Sequence, residues 1–242
     1  MLAIKLLQTV LYCIPTVVPS MAPQKLVSML SKYLIHLDKG IVDVAAGALT
    51  RLMTDKPNFR IAIIQSISEY VLTIAHNRYD LIFTLLFKLG QLLKRWVEIL
   101  KSQAKDTSDQ TGPLPISEIE SIALIFLCSP KTKIRPLCFE ILKSLSTIEQ
   151  ELNRLAGIPT TIRVMDIIEE SGHEIINQLQ IENAFTQTAS NLSVKSIERL
   201  ALRESREDQL LWSHTLGELA KHINMLQNET STFCSSLVSQ VL

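Results

Sequence analysis

Six apolar residues recur with the same spacing 93 positions later, and this recurrence constrains the fold more than any other feature of the chain. The spacing i, i+3, i+4, i+7, i+8, i+11 describes one face of an α-helix. Each set follows a turn and an earlier apolar stretch, which predicts two helical hairpins. Hairpins that return along a chain are typical of stacked-helix solenoids, and solenoids mostly bind other molecules. The two sets are Ile41, Val44, Ala45, Ala48, Leu49 and Leu52, then Ile134, Leu137, Cys138, Ile141, Leu142 and Leu145.

The composition also favours helices that interlock. Hydrophobic residues make up 47% of the 242 residues, but aromatic residues only 5%, so the apolar content is mostly aliphatic. The chain has only 7 glycines, whereas doubly wound folds and barrels need many glycine turns. No stretch alternates with period two, and we therefore expect an all-α protein with almost no strand.

Charge and cysteine usage exclude several classes of protein. Lys plus Arg and Asp plus Glu each number 24, so the formal net charge is zero, and no overall attraction to nucleic acid is expected. The segment from Leu6 to Gln24 is uncharged, but Pro15, Pro19 and Pro23 would break a spanning helix, so no transmembrane segment is predicted. The cysteines at 13, 128, 138 and 234 lack metal-site spacing and indicate buried thiols in a reducing compartment.

The pattern along the chain divides it into four parts. Residues 1–104 form a first block of helical hairpins, and the polar loop KDTSDQTGPLP follows at 105–115. Residues 116–182 form a second block, and 183–242 a C-terminal part with weaker helical patterns. In the first block Asp38 is the expected N-cap of the helix that carries the recurrence. The preceding helix is expected to bury Leu26, Met29, Leu30, Tyr33, Leu34 and Leu37.

The predicted helices follow from apolar periodicity and from the breaks between them. The C-terminal part is expected to hold a loop at 183–193 and three helices. The approximate spans are 2–14, 23–36, 39–53, 59–75, 80–103, 116–128, 130–155, 162–170, 174–181, 196–206, 209–226 and 231–242.

No motif for catalysis, metal binding or a cofactor is present, and we predict no catalytic, metal-binding or cofactor-binding residue. HExxH, GxSxG, Walker A and GxGxxG are all absent. Glu169, Glu170 and Glu174 could be paired carboxylates, but a solvated helix end explains them better. Of the five histidines, His36, His76 and His173 are better explained by helix ends and turns than by catalysis. His214 and His222 lie eight residues apart on one predicted helix, about two turns, which is too far apart to share a metal.

One basic set allows two interpretations. Lys88, Lys94, Arg95 and Lys101 lie on one predicted helix, and Glu98 is expected to pair with Lys94. A solvated helix face is the simpler explanation. A ridge that docks an acidic partner or nucleic acid is the alternative.

From Leu11 to about Ile176 the chain resembles the Furry family of very large cell-morphogenesis proteins. The resemblance rests on the order of LYCIPTVVP, of LSKYLIHLDKGIVDVAAGALTRLMTDKPNFR, of a long helix with KRW, of IESIALIFLCSPKTKIRPLCFEIL and of VMDIIEES. The HLD, DKPNFR and LCS details are the most specific. Lys39 departs from the family pattern, which has an acidic or neutral residue there. Beyond about Ile181 the resemblance ends.

The resemblance implies a HEAT- or armadillo-like helical solenoid, a segment of a right-handed superhelix, with no enzymatic activity. Because the family's proteins are many times longer, the chain is expected to be a central segment. The family scaffolds Ndr-type (nuclear Dbf2-related) kinases and their Mob coactivators, supports polarised growth and cell shape, and has microtubule roles. The implied location is the cytoplasm, including the cell cortex or sites of polarised growth. No residue for partner binding can be transferred.

Two other functions stay open. A trafficking adaptor with the same helical architecture would bind cargo or a small GTPase. An enzyme with a dispersed site would need a polar pocket, which stacked helices do not naturally provide.

Overall fold

The computed structural model describes residues 5–6, 8–10, 12–13, 23–102, 115–159, 162–169 and 192–227. The chain divides into two compact units. The first unit comprises Met1–Ile122 and Thr147–Thr160, and the second comprises Ala123–Ser146 and Thr161–Leu242.

Every regular element in the described ranges is a helix, which confirms the all-α class. The helices are α1 (Pro23–Tyr33), α2 (Lys39–Asp55), α3 (Arg60–Thr73), α4 (Tyr79–Ser102), α5 (Ile116–Leu127), α6 (Arg135–Ala156), α7 (Leu192–Ala201) and α8 (Arg206–Gln227). A 3₁₀ turn, Pro57–Phe59, precedes α3, and residues 164–169 are also helical. The predicted helices at 174–181 and 231–242 lie outside the described residues, and so do most of the predicted loops at 105–115 and 183–193. Seven residues of the predicted helix at 2–14 are described, 5–6, 8–10 and 12–13, and all are helical. Helix α7 begins at Leu192, four residues before the predicted start at 196.

The first unit stacks one hairpin on another. Helices α1 and α2 form the first hairpin, and α3 and α4 form the second. Helix α1 also packs against α3, and α2 packs against α4, so each hairpin buries its apolar faces on its neighbour. The first helices of the two hairpins pack together, and so do the second helices. A helical solenoid builds a continuous core by repeating this packing, and the observation confirms the predicted hairpin architecture.

The six apolar residues that recur 93 positions later mark two buried helix faces. Ten of the twelve residues are buried, and the remaining two, Val44 and Leu137, are half-buried and stand at the same position of the pattern. Ile41 lies in the first turn of α2, and Ile134 comes one residue before α6. The spacing therefore predicted both the helices and their inward faces.

The inward face predicted for α1 is partly wrong. Met29 is 40% exposed and Leu37 is fully exposed, whereas Val27 and Ser31 are buried. The hydroxyl of Ser31 donates to the Val27 carbonyl at 2.9 Å and accepts from the hydroxyl of Ser66 at 3.2 Å. A buried serine that satisfies its hydrogen bonds in this way costs little, but an apolar pattern cannot reveal it.

Side chains hold the turn between α1 and α2. The backbone N–H of Asp38 donates to Nδ1 of His36 at 3.0 Å, which explains His36 as a turn residue. Oδ1 of Asp38 then accepts from the N–H of Ile41 at 3.1 Å, which confirms the predicted N-cap.

Two buried arginines close the turns that precede their own helices. Nε of Arg60, the first residue of α3, donates to the Met53 carbonyl at 3.0 Å, in the last turn of α2. Nε of Arg135, the first residue of α6, donates to the Ser129 carbonyl at 2.8 Å. Each of these arginine residues is 2% exposed. A cation at a helix C-terminus satisfies a carbonyl that has no partner within the helix and also favours the helix dipole, as Arg60 does for α2.

A glycine ends α6. Gly157 has a φ of +68°, and the N–H of Ile158 donates to the Asn153 carbonyl at 3.0 Å. This is the Schellman arrangement, in which glycine adopts the left-handed conformation at low cost. At the other end of α6, Pro136 lies in the first turn, where the missing N–H costs nothing.

Arg135 also organises the second unit. Nη1 donates to the Ala201 carbonyl at the end of α7, and Nη2 donates to Oε1 of Gln209 in α8, at 3.0 and 2.5 Å. Nε1 of Trp212 donates to the Leu127 carbonyl at 3.0 Å. One buried cation thereby fixes the end of α7 and the first turn of α8.

Helix α8 begins three residues earlier than the periodicity predicts. The Ser205 hydroxyl accepts from the N–H of Asp208 at 3.1 Å and donates to Oδ2 of Asp208 at 2.6 Å. This capping box starts the helix at Arg206, ahead of its first apolar residue.

Candidate docking surface

Helix α4 has one buried side and one exposed side along its whole length. The buried side holds Ile82, Leu85, Leu86, Leu89, Leu93, Trp96 and Leu100. The exposed side begins with two phenylalanines and continues with Gln91, Lys94, Arg95 and Glu98. From Phe83 to Glu98 this exposed stripe is about 22 Å long at 1.5 Å per residue.

The phenylalanines form an exposed pair at the N-terminal half of the stripe. Phe83 and Phe87 are 38% and 41% exposed, and their rings are 6.2 Å apart and nearly parallel, at 5°. They lie one helical turn apart, as i, i+4 residues do. Nζ of Lys88 is 5.9 Å from the Phe87 ring centroid. Two adjacent exposed aromatic rings are a feature of protein interaction sites.

A concave groove opens beside this stripe. Its volume is about 380 Å³, and its apolar floor consists of Leu34, Ala46, Leu49 and Leu92. Thr50 of α2 and five polar residues of α4 complete its lining, and the α4 residues are Lys88, Gln91, Lys94, Arg95 and Glu98. The stacking of α2 on α4 brings these distant segments together, within the first unit.

The groove is positively charged on balance. Three of its lining residues are cations and one is a carboxylate. Nη1 of Arg95 lies 2.9 Å from Oε2 of Glu98. The spacing predicts a pair between Glu98 and Lys94, and the structure adds Arg95 as an ion-pair partner of Glu98. Three members of the predicted basic set line the groove, and Lys101 lies beyond it in the last turn of α4.

The other sequence candidates are not brought together into a site. His76 and His214 are exposed, and neither belongs to a group that could hold a metal ion in the part of the chain that the structure describes. Glu169 is exposed. His173, Glu170 and Glu174 lie outside the described residues, as does the side chain of His222.

Two of the described cysteines, Cys128 and Cys138, have pKa values raised by desolvation. Burial raises the pKa of Cys128, and the nearby charge of Arg135 offsets this only in part. Burial also raises the pKa of Cys138, which is completely buried. The expectation of buried thiols holds for Cys138 but is wrong for Cys13 and Cys128, which are exposed, and Cys234 lies outside the described residues. Because the thiolate is the nucleophile, the raised pKa of Cys128 and of Cys138 makes both thiols weak nucleophiles.

The groove was not recognisable in the sequence as a site. Its floor comes from three segments that are up to 58 residues apart, and no short motif joins them. The available signal was the pair Phe83 and Phe87, which stand on the same helix face as the basic residues. Apolar residues on a polar face indicate an interaction more specifically than the lysines do.

Most motifs that carry the family resemblance form turns. His36 and Asp38 hold the α1–α2 turn, Arg60 closes the α2–α3 turn, and the Ser129 carbonyl accepts from Arg135. The KRW motif differs from these, because Lys94 and Arg95 line the groove while Trp96 is buried.

Comparison with known proteins identifies the segment that contains the groove. Residues 2–102 match the family model described as "Cell morphogenesis N-terminal". The match includes α1 to α4 and every residue that lines the groove. The matched family model describes an N-terminal segment, whereas the resemblance predicted a central one. No solved structure matches the chain. Of the helices that the structure describes, none has both the length and the apolar character needed to cross a bilayer.

Proposed function

We propose that this chain is a non-catalytic scaffold segment of a Furry-like cell-morphogenesis protein, and the match of residues 2–102 to the family model "Cell morphogenesis N-terminal" supports this. The segment would support signalling by an Ndr-type kinase and its Mob coactivator in polarised growth and cell shape. The observation that carries the proposal is the coincidence of the family match with the four helices that build the groove.

The shape of the candidate surface supports a scaffold. The stripe and groove offer charged and apolar contacts along about 22 Å of one helix. An extended surface of this kind suits the recognition of a protein segment more than the enclosure of a small substrate. A scaffold needs such surfaces on a rigid frame, and the stacked hairpins of the first unit supply that frame.

We also propose a location in the cytoplasm, with enrichment at the cell cortex or at sites of polarised growth. A direct contact with microtubules belongs to the same proposal. Imaging of the natively expressed, fluorescently tagged protein tests the location. A uniform distribution in polarising cells would contradict cortical enrichment.

Co-purification tests the pathway assignment. The full-length protein is tagged at its native locus, and its partners are quantified against an unrelated cytoplasmic protein with the same tag. Enrichment of an Ndr-type kinase or a Mob protein is expected. Enrichment of cargo proteins or a small GTPase instead would favour the trafficking adaptor. If neither group were enriched, the kinase scaffold would be rejected.

A further inference from the structure

We propose that the α4 surface, which comprises the groove, the Phe83–Phe87 pair and the basic residues beside them, binds an acidic amphipathic helix of a partner protein. Apolar side chains of that helix enter the groove, and its carboxylates face Lys88, Lys94 and Arg95. The inference rests on the proposed function only in that the chain acts by binding other proteins.

The dimensions of the surface fit a helix. A volume of about 380 Å³ lies in the range of pockets that hold ligands, roughly 300–1,000 Å³, and accommodates a few apolar side chains. The stripe of about 22 Å matches a helix of about 15 residues. Helices that dock in grooves present anchors at i, i+3, i+4 and i+7. Of the floor residues, Leu34 and Leu49 are buried beneath the groove, so the apolar contacts for such anchors come from half-buried Ala46, the edge of Leu92 and the exposed phenylalanines.

The charges select an acidic partner over a basic one. Three cations and one carboxylate line the groove, so an acidic helix gains attraction over the roughly 10 Å from Lys88 to Arg95. The carboxylate of Glu98, which pairs with Arg95, can also accept a hydrogen bond from one donor group of the partner helix. The surface charges are half-exposed to exposed, and their main effects are on association rate and specificity, with strong dependence on salt.

The same features argue against a phosphate polymer or a membrane. Nucleic-acid binding depends on many cations along a backbone, whereas Glu98 stands within this short set and the whole chain has zero net charge. A flat lipid surface could touch the phenylalanines but could not reach the floor of a concave groove. A protein helix uses the floor, the aromatic pair and the cations together.

A defined peptide tests the proposal. The probe is a fluorescein-labelled peptide of about 15 residues, with leucines at i, i+3, i+4 and i+7 spacing and glutamates elsewhere. Binding to the full chain is measured by fluorescence anisotropy at about 0.1 M salt and again at about 0.5 M. We expect saturable binding that weakens at the higher salt. A peptide of the same pattern with lysines in place of glutamates should bind at least about tenfold more weakly.

Matched variants localise the binding. The double variant Lys88→Glu with Arg95→Glu should weaken binding at least about tenfold. Lys25→Glu with Lys32→Glu changes the net charge equally, on the exposed surface of α1, and should leave the affinity within about twofold. Phe83→Ser with Phe87→Ser should also weaken binding, whereas Leu72→Ser, at another exposed apolar residue, should not. Circular dichroism and the thermal midpoint establish that each variant is folded.

Several results would overturn the proposal. These are absence of binding, equal loss in both charge variants, equal affinity for the lysine peptide, or tighter binding to phosphatidylserine vesicles or single-stranded RNA. Dimerisation of the chain that the Phe83→Ser, Phe87→Ser variant abolishes would assign the surface to a second copy. The peptide result is independent of the co-purification, because a kinase can be enriched through another surface, and the groove can bind an acidic helix from another protein.

Discussion

The guanidinium of Arg135 lies 5.3 Å from the ring centroid of Trp212, and both side chains are buried. The Trp212 ring also packs edge to face with Phe139, at 6.3 Å. The guanidinium donates in addition to three neutral acceptors, from Ser129, Ala201 and Gln209. Burial lowers the pKa of Arg135. The acceptors and the indole face therefore compensate a desolvated charge in the core of the second unit.

Replacing Arg135 by methionine is expected to lower the free energy of unfolding by about 2–5 kcal/mol, because two buried carbonyls and the half-buried Gln209 side chain lose their donor. Urea denaturation followed by circular dichroism measures the loss. The matched control is Arg154→Met, which removes an arginine whose Nε lies 2.6 Å from Glu151 at the surface. Its cost should stay within about 1 kcal/mol. Equal losses in the two variants would contradict the central role of Arg135.

The two tryptophans differ in hydrogen bonding, so we predict that replacing each by phenylalanine lowers the free energy of unfolding by a different amount. Nε1 of Trp212 donates to the Leu127 carbonyl, whereas Nε1 of Trp96 is buried and has no hydrogen-bond partner among the described residues. Trp212→Phe and Trp96→Phe remove the same atoms. We therefore expect Trp212→Phe to destabilise the protein by about 1–3 kcal/mol more than Trp96→Phe, measured by urea denaturation. Equal costs would mean that the Trp212 hydrogen bond contributes nothing.

The capping box of α8 predicts a dependence of stability on pH. The Ser205 hydroxyl, followed by Arg203, stabilises the carboxylate of Asp208 and lowers its pKa. The pKa of Asp208 is lower in the folded state than in the unfolded state. The ionised carboxylate therefore stabilises the folded state above the unfolded-state pKa of about 3.9, and this stabilisation is lost as the pH falls through the folded-state pKa. Asp208→Asn should flatten the fall in thermal midpoint below about pH 5.

Removal of the cap hydroxyl tests the same box at neutral pH. Ser205→Ala should cost about 1 kcal/mol, because an N-terminal N–H of α8 loses its acceptor. Ser213→Ala is the control, since that exposed hydroxyl only donates to the Gln209 carbonyl within the helix. Its effect should be within about 0.5 kcal/mol. A larger loss for Ser213→Ala would show that the cap is not the determinant.

Two glycines should respond in opposite directions to alanine. Gly157→Ala should destabilise the protein by about 1 kcal/mol, because φ at Gly157 is +68° and a residue with a Cβ is strained in that conformation. Gly47 lies within α2, and a Cβ built there meets no atom within 4 Å. Gly47→Ala should stabilise by about 0.5–1 kcal/mol through helix propensity. Thermal denaturation of both variants checks the signs, and the same sign in both would refute the argument.

The two buried helix faces that carry the recurrence should be sensitive to loss of side-chain volume. Leu49 and Leu142 are 0% exposed, and replacing either by alanine should cost about 2–5 kcal/mol of unfolding free energy. Val44→Ala, at the half-buried position of the pattern, should cost clearly less. An unchanged thermal midpoint for Leu142→Ala would contradict its inward orientation.

The helices were predictable because apolar spacing reports directly on which face is buried. The face of α1 was misjudged because Ser31 is buried through hydrogen bonds, and because Leu37 lies past the end of the helix and is fully exposed. The start of α8 was misplaced because the polar pair Ser205 and Asp208 sets it. The groove depends on long-range stacking of α2 on α4, which no local pattern encodes.

The two arginine-closed turns have a consequence for how such a chain can vary. In both turns, the side chain that fixes the backbone comes from the helix that follows, and the atom it fixes is a backbone carbonyl. The residues between the carbonyl and the arginine, 54–59 and 130–134, have almost no sequence similarity, yet an arginine–carbonyl hydrogen bond closes both turns. Because each arginine closes its turn through a main-chain carbonyl, the residues between the two can differ in type and number while the turn stays closed.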